Sequence, residues 1–406
     1  DAKGETWFLE FDPPHYPEGA TGAVAVATKI FWALGYNQVE SFLTTFDPKK
    51  AEFDPQATIR RPSGARTKFT KDDMNSILER VAKNADGTYR VIAGRLIPGK
   101  VLGGFLFAGT RSDDPNDVVP HEHRRELRAL QVFGAWTNLV DMKAGNTLDT
   151  LITENGRGIV RHYLQDVAST FGTGALAPRD GDEGYEYLYD QPPFVKRLVS
   201  LGLFLSPWQT VDYQEHPEVG KFEGRQFDPV KWKPRVPIAA LRHVRADDAF
   251  WAALRVLAFT DEQIRAAASV GGFTDPAGEK LLGDVLIERR NPIGQVYFAA
   301  INPLTGFALT DGGGLTVENP AVRAQFAPAP EKGYEVSWFR FNNTTGQSEP
   351  LGPPAASPAG PFRPPAALPA GADAFVRVSI RAVEPAPAAW AVPVDVYFRR
   401  SGANWM

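Results

Sequence analysis

The chain contains no cysteine among its 406 residues. That excludes a disulfide framework, thiolate zinc sites, iron–sulfur clusters and a cysteine nucleophile. It does not identify a compartment, because periplasmic and cytosolic proteins can both lack the residue. Long apolar runs are missing too: none approaches the roughly 20 residues needed to span a bilayer. The best of them, Val24 to Leu34, is short and interrupted by Thr28 and Lys29. Strong charge of either sign is also absent. With 44 Lys+Arg against 48 Asp+Glu, the formal net charge is −4, which leaves no electrostatic footprint for nucleic acid or an anionic membrane. Proline (34) and glycine (37), by contrast, are plentiful and predict many loops and edge segments. An apolar fraction of 43% with 23% charged residues excludes wholesale disorder. At about 100–200 residues per domain, the length predicts two or three domains.

The first 118 residues read as a small α+β lobe. Glu5–Phe11 is strand-like and stops at Asp12-Pro13-Pro14. Pro17–Gly35 carries small and apolar residues at helical spacing, with Gly35 as the stop. Ser41–Phe46 is a strand, and Lys71–Ala85 a helix with Thr70 placed to cap it. Tyr89–Leu96 and Val101–Ala108 read as two strands joined at Pro98-Gly99, a hairpin. Residues 119–310 read as a helical larger lobe: a long helix Glu122–Leu139, then Ala246–Phe259, Asp261–Val270 and Pro276–Ala300, with Thr260 and Gln263 as a capping box. A Gly- and Pro-rich linker is expected at 311–330. From 331 to 406, Tyr334–Phe341, Phe375–Val383 and Val392–Arg399 alternate like half-buried strands and predict a small all-β, sandwich-like module. Val376, Val378 and Ile380 share one of its faces.

Two segments look like ligand sites and fall short on spacing. Gly94–Val101 matches a phosphate loop until its last position, where Val101 stands in place of the hydroxyl that magnesium needs. Asp113–Asp117 and His121-Glu122-His123 offer oxygen and imidazole groups without calcium-loop or zinc-helix spacing. Arg124, Arg125 and Arg128 are better read as partners of those carboxylates.

Asp141-x-Lys143-x-x-Asn146 followed by Asp166 is more informative. Phosphoryl transfer from ATP needs a carboxylate to orient the acceptor hydroxyl, a cation near the γ-phosphate and two oxygen ligands for magnesium. Protein kinases draw these from a loop of this form and from a later Asp beyond a strand. Asp141 would be the base and Lys143 the cation, with Asn146 and Asp166 holding Mg. The same residue types also serve helix ends and turns, where their side chains satisfy local amides.

The segments FDPPHYPEGATGAVAVATKIFWALGY, GTRSDDPNDVVPHEHRRELRAL, WTNLVDMKAGNTLD and YLQDVASTFG resemble a bacterial family of uncharacterised proteins, itself distantly similar to atypical kinases of the spore-coat CotH and HipA kind. The likeness covers roughly residues 5–300. It implies a two-lobed kinase-like domain, followed here by the β-module, with Mg and ATP as cofactors of an active member. The departures point to a degenerate site. Glu10 stands on the early strand where such kinases carry a phosphate-binding lysine. A carboxylate about 5 Å from a phosphate charge repels it by roughly 3 kcal/mol at an effective dielectric near 20. Among Arg90, Arg95, Lys100 and Arg111, the substitutes expected to bind the cofactor are Arg90 and Arg111. Ala168 replaces the glycine of the Asp-Phe-Gly turn, and Asn138 stands where a histidine is usual. The resulting expectation is a kinase-like binding or scaffold subunit that joins other protein subunits. The alternative is an active atypical phosphotransferase. An extracytoplasmic location is expected from the start at Asp1, the missing cysteines and the likeness.

Overall fold

Every paired strand among the described residues runs antiparallel, and helix and strand take up 28% and 23% of the chain. That combination is the expected α+β class rather than a parallel α/β fold. The computed structural model describes residues 1, 3–213, 216–358, 360–371, 373–402 and 404–406. It forms two compact units, Asp1–Val244 with Ala258–Arg290, and Arg245–Leu257 with Asn291–Met406. No helix among the described residues is long and apolar enough to cross a membrane.

The first unit begins with β1 (Trp7–Phe11), α1 (Gly19–Ala33), β2 (Ser41–Phe46), the hairpin β3 (Thr58–Arg60) and β4 (Arg66–Lys68), α2 (Lys71–Leu78) and β5 (Tyr89–Arg95). Then come β6 (Lys100–Gly103), α3 (Arg125–Arg128), α4 (Leu130–Thr137), β7 (Thr147–Glu154) and β8 (Arg157–Leu164). Strands β1-β5-β2 make one sheet and β6-β7-β8 another. The expected hairpin at Pro98-Gly99 is therefore corrected: its two strands belong to different sheets. Gly99 takes φ 102° where a Cβ would lie 2.7 Å from the Leu151 carbonyl oxygen, so glycine lets the chain cross closely over β7.

Helix α1 packs against β2 and β5 and is buried nearly all round, from Ala23 to Ala27 and at Ile30 and Phe31. Its small residues permit that close approach. Gly35 (φ 100°) ends it as the sequence predicts: Tyr36 N–H reaches Phe31 O at 3.0 Å and Gly35 N–H reaches Trp32 O at 2.9 Å, satisfying the last carbonyls. Helix α2 has the expected Thr70 cap, reciprocated by Asp73. It stops at Leu78 rather than Ala85, and Ala82 N–H bonds Asp12 O instead. The helical run expected at 122–139 is broken at Arg124, which is extended (φ −82°, ψ 126°).

Helices α5 (Gln191–Val199), α6 (Ala239–Arg242), α7 (Ala246–Leu257), α8 (Asp261–Ser269) and α9 (Pro276–Ala299) follow, with the Thr260–Gln263 capping box in place before α8. The second unit takes α7 and the last part of α9. It adds β9 (Thr305–Leu309), β10 (Leu315–Glu318), α10 (Pro320–Arg323), β11 (Tyr334–Phe341), β12 (Ser348–Pro350), β13 (Ala355–Ser357), β14 (Phe375–Ala382), β15 (Val394–Ser401) and β16 (Asn404–Trp405). The stretch 311–330 is thus no linker. Strand β10 pairs with β9, and Asn319 Oδ1 accepts from Ala321 and Val322 N–H to cap α10. Gly and Pro there serve a turn and a helix start. The expected sandwich is instead one sheet, β12-β11-β14-β15-β16 with β13 beside β11, plus the β9–β10 hairpin. Val376, Val378 and Ile380 do share its buried face. Trp390, fully buried, donates Nε1–H to Phe298 O at 3.0 Å, and Asn302 Nδ2 donates to Ile380 O and Val392 O.

Candidate functional site

The end of α4 sets the first part of the site. Asn138 closes the helix in the left-handed region (φ 55°), a conformation asparagine tolerates. Its Oδ1 accepts Trp232 Nε1–H at 2.8 Å. A Cβ on Gly184 would lie 2.3 Å from that oxygen, so glycine admits the 184 backbone over the cap. At the place where the resemblance implies a histidine, Asn138 is a buried helix cap.

Buried Leu139 and Val140 anchor the loop that follows. Lys143 Nζ donates to Asp141 Oδ2 at 2.8 Å, and Arg235 Nη1 lies 3.8 Å from the same oxygen. Asn146 Nδ2 donates to Asp141 O at 2.6 Å, closing the loop on itself. Burial is the largest single influence on the Asp141 carboxyl and pushes it up. The hydrogen bond and charge of Lys143, with help from Arg235 and Asn146, outweigh burial and hold it below its ordinary range. The loop rests on the segment after β6. Phe105 N–H donates to Thr147 Oγ1 at 3.0 Å, and a Cβ on Gly104 would meet Ala144 O at 2.0 Å.

Asp166 joins through the backbone. Its N–H and that of Gln165 both donate to Asn146 O at 3.0 Å. Asp166 Oδ1 accepts Ala168 N–H at 2.9 Å, an Asx turn. Ala168, like Leu43, packs against the buried cluster of Val24, Ala25 and Ile92. The first left-handed residues after Asp166 are Phe171 (φ 53°) and Gly172 (φ 69°). The turn at Ala168 therefore needs no glycine, and its absence does not by itself mark degeneracy.

Glu10 lies opposite. Across the first sheet Glu10 pairs with Ile92, and Ile92 with Leu43. Directly paired residues point to the same face, and this is the face against which Ala168 packs. Glu10 is exposed at the edge of the sheet, yet the protein packed around its carboxyl and then the negative charge of Asp166 push its pKa above the ordinary 4.5.

The two arginines expected to bind the cofactor are engaged elsewhere, which corrects that expectation. Arg90 donates Nε–H to Thr21 Oγ1 at 2.8 Å, Nη1–H to Gly272 O at 2.6 Å and Nη2–H to Gly271 O, and lies 3.8 Å from buried Asp12. It ties β5 to the carbonyls just beyond α8. Arg111 bonds Asp113, Leu102 O and, at 2.7 Å, fully buried Asp149, whose other oxygen meets His162 Nδ1 at 2.6 Å. Asp117, also buried, accepts from Arg111 N–H at 2.7 Å, from His121 Nε2 at 2.8 Å and from Arg124. Of the residues read from sequence, the fold thus gathers Asp141, Lys143, Asn146 and Asp166, and uses Arg90 and Arg111 as braces.

Sequence reasoning missed Arg235 and Glu183, which pair with each other beside Asp141. Both come from the loop-rich stretch after Gly172, where no periodicity places a side chain. Next to them lies a cavity of about 270 Å³ lined by Asn138, Glu183, Tyr185, Tyr213, Trp232 and Arg289. Arg289 donates to Glu223 O at 2.9 Å and Ala135 O at 2.6 Å, and its guanidinium lies 3.9 Å from the Phe227 ring centre. Complete burial pulls its pKa down to about 10, and burial pushes Tyr213 up to about 12.

Compared with models of protein families, with curated proteins and with solved structures, the chain matches none.

Proposed function

We propose that the first unit carries a phosphotransferase-like site whose nucleotide half is degenerate, and that the chain serves as a binding or scaffold subunit. The opposition of Glu10 to Asp166 carries this reading. The donor set at Asn146 and Asp166, an amide and a carboxylate oxygen, suits a hard cation such as Mg²⁺. These two residues would hold it, and a bound Mg²⁺ would supply charge neutralisation at phosphate oxygens. The nucleotide's phosphates fit less well. Glu10 is a carboxylate where a cation is needed, Arg90 and Arg111 spend their donors on protein acceptors, and Lys143 sits on Asp141. Exposed Phe194, Leu198, Val199, Leu201 and Leu203, in and just after α5, support a role in binding another protein.

A second reading, an active atypical ATP- and Mg-dependent phosphotransferase, is favoured by one observation. Asp141 is held ionised by Lys143 and Arg235, as a group must be to take a proton from an acceptor hydroxyl. Calorimetry of the full chain with Mg-ATP separates the two. The degenerate site predicts no measurable heat at millimolar nucleotide. Micromolar affinity abolished by Asp166→Ala would replace it with the active one.

A further inference from the structure

We infer that His216, Glu218 and Asp275 form a binding site for one divalent transition ion, with zinc as the best fit. None of the three belongs to the site around Asp141. Each presents one ligand atom, and the three atoms lie within 4.8 Å of one another. His216 Nδ1 is 3.3 Å from Glu218 Oε1 and 3.5 Å from Asp275 Oδ2. The first of these is a long hydrogen bond, beyond the usual range of about 2.7–3.2 Å. Ligands about 2.1 Å from a tetrahedral zinc stand roughly 3.4 Å apart, which is the spacing of the two pairs that include His216.

The surroundings are built around the carboxylates. Glu218 is only 8% exposed, and among the described residues its carboxylate has no Lys or Arg partner, only His216. A buried carboxylate so weakly compensated favours a cation. Gly278, in the first turn of α9, is the second sign: a Cβ there would lie 1.8 Å from Glu218 Oε1. Glycine inside a helix costs about 1 kcal/mol relative to alanine, and here it clears the space the carboxylate occupies. Asp275 is held by the same turn, its Oδ1 accepting Ala277 N–H at 2.8 Å, which leaves Oδ2 facing His216. One imidazole and two carboxylates form a mixed N/O set suited to Zn²⁺ or Mn²⁺ rather than Mg²⁺. Three protein ligands leave a fourth position, and His216 lines a cleft of about 530 Å³ that could supply its occupant.

The test is calorimetric titration of the chelator-treated full chain with Zn²⁺ alone, repeated with Co²⁺ and read by visible absorption. One ion per chain and the intense d–d bands of a tetrahedral N/O site are expected. His216→Ala and Asp275→Asn should each weaken zinc by at least about 100-fold. Glu218→Gln keeps the shape of the buried group, and the same loss is expected in it while metal-free stability is retained. His123 and His243, whose rings stand 5.6 Å apart in the same unit, are the internal competitor. Zinc binding that survives Glu218→Gln, or is lost on His123→Ala, overturns the assignment. So does an absence of binding at millimolar zinc, which would leave His216 as a bridge between two carboxylates.

Discussion

Glu10 on β1 lies within electrostatic reach of Asp166 beyond β8: Glu10 pairs with Ile92, and Ala168, two residues past Asp166, packs against the cluster that contains Ile92. Burial and the charge of Asp166 raise the pKa of Glu10 above 4.5. A carboxyl whose pKa rises on folding binds its proton more tightly in the folded chain. It therefore opposes folding above its folded-state pKa, and the penalty fades as the pH falls to 4.5 and below. Glu10→Gln should stabilise the protein at neutral pH, with a gain that vanishes in acid. Urea unfolding across pH measures it, and a gain that persists below 4.5 would contradict the account.

On the proposed nucleotide site, the same pair would govern the phosphates. Glu10→Lys exchanges repulsion for attraction, and after allowance for solvent screening Mg-ATP affinity should rise at least about tenfold. Calorimetry at millimolar Mg-ATP should show heat from the lysine variant where the parent shows none. If the lysine variant binds nucleotide no better than the parent, Glu10 does not face the phosphate position.

Gly104→Ala should disturb the loop without touching its polar residues. The new methyl would meet Ala144 O at 2.0 Å, and a carbonyl oxygen in a closed loop has little freedom to withdraw. The expected loss is about 1–3 kcal/mol, read by denaturant unfolding; on the proposed function, any Mg²⁺ binding through Asn146 would weaken with it. Wild-type stability in this variant would mean that the loop is looser than described.

Helix α2 depends on its first turn. Thr70→Ala removes one half of the capping box and should cost about 1 kcal/mol. Asp73, the other half, is held down at about 2, chiefly by its hydrogen bond to Arg61. Its lowered pKa means a contribution present above 3.8 and lost as the pH falls through about 2. Asp73→Asn should accordingly flatten the acid limb of the stability curve, and an unchanged limb would count against the Arg61 contact.

In the second unit, Trp390→Ala removes a fully buried indole and its bond to Phe298 O. A loss of about 3–5 kcal/mol is expected, whereas Trp390→Phe, which keeps most of the volume, should lose less. Equal losses in the two variants would place the cost in the hydrogen bond alone.

Local chemistry was legible wherever a few neighbouring residues decide the outcome. The Gly35 stop, the Thr70 and Thr260 caps and the alternation in β14 all appear as read, because each rests on backbone angles or hydrogen bonds within one turn or strand. Contacts distant in sequence were not legible. The β5–β6 hairpin failed because Pro-Gly marks a turn without naming which strand follows as partner. Arg90 and Arg111 were expected at the cofactor because acceptors that engage them, Gly271, Gly272 and Asp149, lie far along the chain.

The sequence alone determined which chemistries were impossible and which residues could carry one: no thiol, no spanning run, and an Asp-Lys-Asn loop followed by an acid. Tertiary structure decided what those residues do. It bonded Lys143 to Asp141, set Asp166 beside Asn146, brought Glu10 within electrostatic reach of Asp166 and set Asp275 against the segment that carries His216 and Glu218. The physical reason is range. Caps and alternation act over a few residues, whereas a charge's partner and its solvation are set by whatever the fold brings within about 4–6 Å.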